Sequence, residues 1–324
     1  MTRKIAVEEH CLSPGLVEYW MPTVSDIDPG IATRLYSRLN DFGEQRLKAM
    51  TNAGIERAIL SIAGPGVQAE RDLATATRRA RESNDFLARE IYKRPERYSG
   101  FAHLAMQDPR AAANELERCV RDLGFAGAMI HGHTNGRYLD EAAFDPFWDR
   151  VSSLDVPVFL HDTDPVVPAP VLDGFPALRR AMWEWSFETG SHALRLILGG
   201  VFDRFPRACV VLGRLGEALP YRMAQLDSRA KLYGVSLARP PSHYLKENML
   251  MTTGGLAAVE PLYCAVAALG PERILFGSDY PFENAEEAGR FMDTVRLDEG
   301  TRADIAYRNA ERALRLAPAQ PSQP

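Results

Sequence analysis

The chain lacks most of the features that mark secreted, membrane-spanning or nucleotide-binding proteins. Its 324 residues include four cysteines, Cys11, Cys119, Cys209 and Cys264, with no Cys-x-x-Cys spacing among them. They read as reduced thiols of a cytoplasmic protein rather than a disulfide set. No apolar run approaches the roughly 20 residues that span a bilayer. The N-terminus leads straight into a strand, without the basic-then-apolar pattern of a signal peptide. There is no GxGxxG or GxxxxGK motif to cradle a dinucleotide or a nucleoside triphosphate. Cations do not dominate: 38 Lys and Arg stand against 43 Asp and Glu, a formal net charge of −5. Neither nucleic acid nor an anionic membrane is therefore expected as a partner.

What remains is ordinary globular material, 46% hydrophobic and 25% charged, enough for a large core. Short apolar runs alternate with longer amphipathic stretches. Strands are expected at Lys4–Glu9, Arg57–Ile62, Tyr98–Leu104, Gly127–Ile130, Val156–Leu160, Ala208–Gly213, Asn248–Thr252 and Arg273–Gly277. Helical stretches separate them, the longest expected over Leu178–Phe205, and a last pair, Ala285–Val295 and Arg302–Leu316, closes the chain. Strand–helix alternation implies a parallel sheet with helical crossovers. Eight repeats favour closure into an α/β (β/α)8 barrel, the TIM barrel. The expected layout is one barrel domain over residues 1–316 and a flexible tail over 317–324. Loop insertions at about 11–40 and 162–178 would form walls or lids of a pocket.

Glu8 and His10 end the first strand and lie two apart, so the period of a strand points both to one side and Glu9 to the other. His161 ends the fifth strand and Asp279 the eighth. In a barrel the first and last strands are neighbours, and the strand C-termini share one mouth. Two imidazoles and two carboxylates converging there make a mixed nitrogen and oxygen set for one divalent ion, zinc or manganese. Taken singly, each residue also has a plainer reading. A strand-end histidine is more often just hydrogen-bonded, and Asp279 before Tyr280-Pro281 would serve as a turn cap. Their joint occurrence favours the metal.

At this point the chain resembles a known family. KIAVEEH, DVPVFLHDTDP, ETGSHALRLILGGVFDRFP, LGRLGEALPYRM and RILFGSDYPFEN, in that order, are similar to the amidohydrolase-related decarboxylases. The branch is that of the γ-resorcylate and 2,3-dihydroxybenzoate enzymes. The likeness runs from Lys4 to Leu316. It implies a metal-dependent hydrolase type of barrel with one zinc or manganese on Glu8, His10, His161 and Asp279. It also implies that Asp279 doubles as a proton shuttle. The implied reaction is non-oxidative decarboxylation of a hydroxylated aromatic or similarly activated carboxylic acid, without an organic cofactor. The implied assembly is a homodimer or homotetramer.

The departures from the family are as informative as the matches. The strand-six motif of the family reads His-x-Gly-Glu; here it is Arg214-Leu215-Gly216-Glu217. Arginine cannot act as a base at neutral pH. At roughly 5 Å and an effective dielectric of about 20, it would repel a dication by on the order of 7 kcal/mol. Glu217 is expected to neutralise it if the turn is helical, or a substrate carboxylate or phenolate to bridge arginine and metal. Where relatives continue His-Pro-Arg after strand five, this chain has Asp162-Thr163-Asp164-Pro165. Gln225 falls where relatives often have arginine. His192 is expected to bond the substrate, with an interhelical hydrogen bond as the alternative. Trp185 and Phe187 are expected to line the pocket, with a core role as the alternative. His131 and His133 at the end of strand four are expected to hydrogen-bond near the pocket floor. Other chemistries remain open at this level. They are metal-assisted hydrolysis of an ester, lactone or amide, a repurposed lyase or cyclase, and a non-catalytic ligand-binding relative marked by Arg214.

Overall fold

The computed structural model describes residues 1–316; the tail expected over 317–324 lies outside the described residues. Each short apolar run, too brief for a stable helix, becomes a strand. These are β1 (Lys4–Cys11), β2 (Ile55–Ile62), β3 in two pieces (Tyr98–Gly100 and Ala102–His103), β4 (Ala128–His131), β5 (Val158–His161), β6 (Val210–Leu212), β7 (Met249–Thr252) and β8 (Ile274–Leu275). All neighbouring pairs are parallel. Phe101 N–H donates to Leu60 O at 2.9 Å and carries the ladder across the interruption in β3. The seam between β8 and β1 is closed by Val7 N–H to Phe276 O (2.9 Å), Asp279 N–H to Glu8 O (2.9 Å) and His10 N–H to Tyr280 O (2.7 Å). The result is the eight-stranded barrel that the alternation predicts.

The barrel is a packed core rather than a pore. Ile5, Val7, Ile59, Phe101, Met129 and Phe159 fill its lower interior and are all buried. A larger apolar layer lies between the strands and the surrounding helices. No helix among the described residues is long and apolar enough to cross a membrane.

Two helices differ from the sequence expectation. The long stretch Leu178–Phe205 is broken into Glu184–Leu198 and Val201–Arg204, preceded by single turns at Pro176–Leu178 and Arg180–Met182. Arg180 (φ 55°) and Gly200 (φ 70°) sit in the left-handed region, which a right-handed helix cannot contain. The closing stretch is three short pieces, Glu299–Ala303, a π turn over Asp304–Arg308, and Asn309–Ala313. Residues 11–40 are not simply a loop. They include the helix Pro29–Leu39, whose first turn is capped by Asp28 accepting from Gly30 N–H and Ile31 N–H.

Candidate active site

The barrel mouth is built by an irregularity in β1. Ile5 and Ala6 pair with β2 in one register and Glu9 to Cys11 in another, with an extra residue of β1 between Ala6 and Glu9. Ile5 and Val7 face the barrel interior, so strict alternation would turn Glu8 outward. The bulge restores Glu8 and His10 to the inside, as bulges do near functional sites. Glu9 turns away and accepts from the backbone N–H and hydroxyl of Ser278 at 3.0 and 2.7 Å, reinforcing the seam. A Cβ at Gly254 would fall on the Glu8 carboxylate, so glycine is what leaves room for it there.

Glu8, His10 and His161 converge, with ligand atoms all within 4.8 Å of one another. His161 Nε2 is 3.8 Å from Glu8 Oε1, and His10 Nε2 is 3.2 Å from Asp279 Oδ1. The two imidazoles meet edge to face at 4.7 Å. Ser61 Oγ lies 3.3 Å from His10 Nδ1, and Thr252 donates its hydroxyl to Glu8 Oε2. These outer contacts orient the two side chains. His10 Nε2 is left buried without a hydrogen bond, as expected of a nitrogen that presents its lone pair to a cation. Burial lowers the His10 pKa to about 3 and that of His161 well below the usual value, so both rings are neutral at pH 7. Burial raises Glu8 well above the carboxylate range, and the charge of Asp279 adds to the effect. Two neutral imidazoles beside clustered carboxyls make a donor set that fits a divalent ion.

Asp279 adopts φ 56° and is buried. Burial raises its pKa to about 7; Arg214 opposes the rise and Asp162 adds to it.

Arg214 reaches the same space. Its Nη2 is 2.5 Å from Asp162 Oδ2 and its Nη1 3.1 Å from Glu217 Oε1. Burial works against its charge, but Asp162 and Glu217 more than offset this and hold it protonated. The expected pairing with Glu217 is thus present, on a different backbone. Residues 214–218 all have positive φ, from 43° at Arg214 through 86° at Gly216 to 63° at Ala218. At Gly216 the turn needs glycine twice over, for its φ and because a Cβ would stand 2.6 Å from Met251 Sδ. Glu217 is pushed up to about 7 by burial and by Asp162, against Arg214.

Asp162 is the residue that the sequence analysis passed over as a partner. Its buried carboxylate also accepts from Thr189 Oγ1 at 3.2 Å. The sequence shows each of the two departures, an acid after strand five and an arginine after strand six, but not that they pair.

Above these groups opens a cleft of about 1110 Å³, lined by His161, Asp162, Arg214 and Asp279 at its inner end. Trp185 lines it and donates Nε1–H to Asp164 Oδ1 at 2.7 Å. Three other expected pocket residues lie elsewhere. His192 is buried behind the pocket, where its Nε2 accepts from Leu139 N–H at 3.0 Å and its ring meets Tyr138. Phe187 falls on the outward face of its helix and is 64% exposed. Gln225 is exposed and accepts from Arg222 on the surface of its helix. His131 lies under the site, with Nε2 2.9 Å from Ile62 O and its ring 5.1 Å from that of His161. His133 lines the cleft.

A bulged first strand, imidazoles on strands one and five and an aspartate after strand eight define a metal-type hydrolase barrel. The chain belongs to the amidohydrolase family, which matches residues 36–316, and within it to the decarboxylase branch. It is 39% identical to the γ-resorcylate decarboxylase of Rhizobium sp. (strain MTP-10005), over 98% of this chain and 99% of that one. It is 38% identical, over the same shares, to the γ-resorcylate decarboxylase of Polaromonas sp. (strain JS666 / ATCC BAA-500). A solved structure of a dihydroxybenzoic acid decarboxylase from Polaromonas sp. JS666, with bound manganese and the inhibitor 2-nitroresorcinol, is 38% identical. It superimposes with a TM-score of 0.91 over 98% of each chain.

Proposed function

We infer that this protein is a metal-dependent, non-oxidative decarboxylase of a hydroxylated aromatic acid. The observation that carries the reading is the convergence of Glu8, His10, His161 and Asp279 at the barrel mouth of a chain similar over its full length to such enzymes. Those four side chains would hold one divalent ion, manganese or zinc, which would polarise the substrate carboxylate and an adjacent hydroxyl.

The remaining work falls to the chain itself. Asp279, buried at the barrel mouth beside His10, is suited to deliver a proton to the ring carbon that bears the carboxylate. The carbon–carbon bond then breaks, its electron pair returns to the ring, and carbon dioxide leaves. Asp279 is reprotonated from water, so one proton is consumed for each carbon dioxide released. Arg214, clamped by Asp162 and Glu217, has the planar fork to orient a carboxylate or phenolate. Its charge is met by those two acids before any cation binds, which answers the repulsion expected from sequence. Because the proton donor is Asp279, a histidine at position 214 is not required. Trp185 supplies an aromatic wall.

Cytoplasmic location is supported by four unpaired cysteines. A homodimer or homotetramer is supported by the exposed apolar side chains Phe175, Trp183 and Phe187, and sedimentation would measure it. The reaction is tested by incubating manganese-loaded enzyme with hydroxylated benzoates and measuring carbon dioxide release. An alcohol or amine among the products of an ester or amide, with no carbon dioxide from any acid, would replace decarboxylation by hydrolysis.

A further inference from the structure

The cleft is larger than its chemistry requires. A single-ring acid would occupy only the inner end, yet the cavity reaches about 1110 Å³, the upper limit of sites that enclose drug-sized ligands. Its two ends differ in character. The inner end carries His161, Asp162, Arg214 and Asp279. The outer end is walled on one side by Trp20, Val24 and Ile27 and on the other by Val166, Met182 and Trp185.

The two walls are fastened together. Arg180 Nη1 donates to Thr23 O at 2.6 Å, its Nη2 is 3.3 Å from Pro22 O, and it pairs with Asp26 and Asp164, each at 3.4 Å. Residues 20–27 and 162–185 are thereby held as one chamber. Several polar groups of its walls are already engaged. Asp164 accepts from Trp185 and faces Arg180, His133 Nε2 lies 3.1 Å from Asp164 O, and Arg179 pairs with Glu184 and Asp173. Between them the chamber offers apolar surface: Ile27 is 39%, Val166 53% and Met182 66% exposed. A concave surface with apolar walls recognises an apolar group of a ligand.

We propose that the outer chamber is a subsite for an apolar substituent, and that the preferred substrate is a hydroxylated aromatic acid carrying an alkyl or aryl group several carbons long. The proposal rests on the decarboxylase reading of the same site, with the charged inner end holding the acid and its hydroxyl.

The test uses manganese-loaded enzyme and a series of 2,4-dihydroxybenzoates bearing hydrogen, methyl, propyl or pentyl at carbon 6, with kcat/KM taken from carbon dioxide release. Burying a methylene gives up to about fourfold, so the pentyl acid should exceed the unsubstituted one by at least about tenfold. Ile27→Asp and Val166→Asp should each drive that ratio toward one. Turnover of the short acids with a flat or falling response to chain length would overturn the proposal. A second arm needs no turnover: calorimetric affinity for resorcinols bearing the same chains at carbon 5. Affinity that tightens with each methylene supports the subsite even if no acid is decarboxylated, in which case the decarboxylase reading alone fails. Affinity independent of chain length removes the subsite whatever the activity.

Discussion

Arg214 and Asp162 form one buried unit, with guanidinium Nη2 and carboxylate Oδ2 2.5 Å apart and Glu217 on the other side of the arginine. Neither partner can be removed cheaply, because a buried ion stripped of its partner keeps its desolvation cost. Arg214→Met should lower the unfolding free energy by about 3–5 kcal/mol and abolish carbon dioxide release. Arg214→Lys retains the charge but not the planar fork, and should cost less stability while still impairing turnover. Urea unfolding and steady-state kinetics on the two variants check both statements.

Asp279→Asn is the sharpest test of the proton donor. An amide has the shape of the carboxyl but no proton to deliver to carbon, so kcat should fall by about 10²–10⁴-fold with the circular dichroism unchanged. Turnover at the wild-type rate would take the proton-donor role from Asp279.

Metal dependence follows from the proposed ligand set. Chelation should abolish activity, and manganese or zinc should restore it. At a free concentration of 100 times its Kd, the ion should raise the unfolding free energy by about 2.7 kcal/mol. His161→Ala and Glu8→Gln should purify with far less than one ion per chain by elemental analysis. Full occupancy in both variants would place the ion elsewhere.

His192 gives a pH effect separate from the chemistry. Burial, with help from Arg195 and His133, lowers its pKa to about 3 in the folded protein. The unfolded chain binds that proton near pH 6.5. The stability contribution of the neutral ring is therefore fully present above pH 6.5 and is lost as pH falls toward 3, at up to about 1.4 kcal/mol per pH unit. His192→Gln keeps an acceptor for Leu139 N–H and does not titrate. Between pH 6.5 and 5 the wild type should lose about 2 kcal/mol more than this variant in urea unfolding. Equal losses would show that the ring is already protonated when folded.

The barrel and its metal-type residues were legible because strand ends carry strong local signals. Glu8 and His161 directly follow apolar runs, His10 and Asp279 each lie three residues past the end of one, and barrel topology does the rest. The bulge in β1 was not legible, since period two between Glu8 and His10 holds with or without it. Helix faces were harder. His192, Phe187 and Trp185 lie within eight residues of one another on one helix, and only Trp185 lines the cleft. Which face turns inward depends on the break at Arg180, a left-handed residue that no propensity announces. The partnership of Asp162 with Arg214 was hidden for another reason. Their sequence positions are 52 apart, and nothing in one chain says that two unusual charges compensate.

The seam between β8 and β1 has a consequence for synthesis. Glu8 and His10 leave the ribosome before His161, and His161 before Asp279. Until Asp279 N–H and His10 N–H find their carbonyls across that seam, the earliest-made side chains wait without the latest. A nascent chain can bury its lower core strand by strand, but it acquires its reactive centre only once β8 and the residues after it have been made.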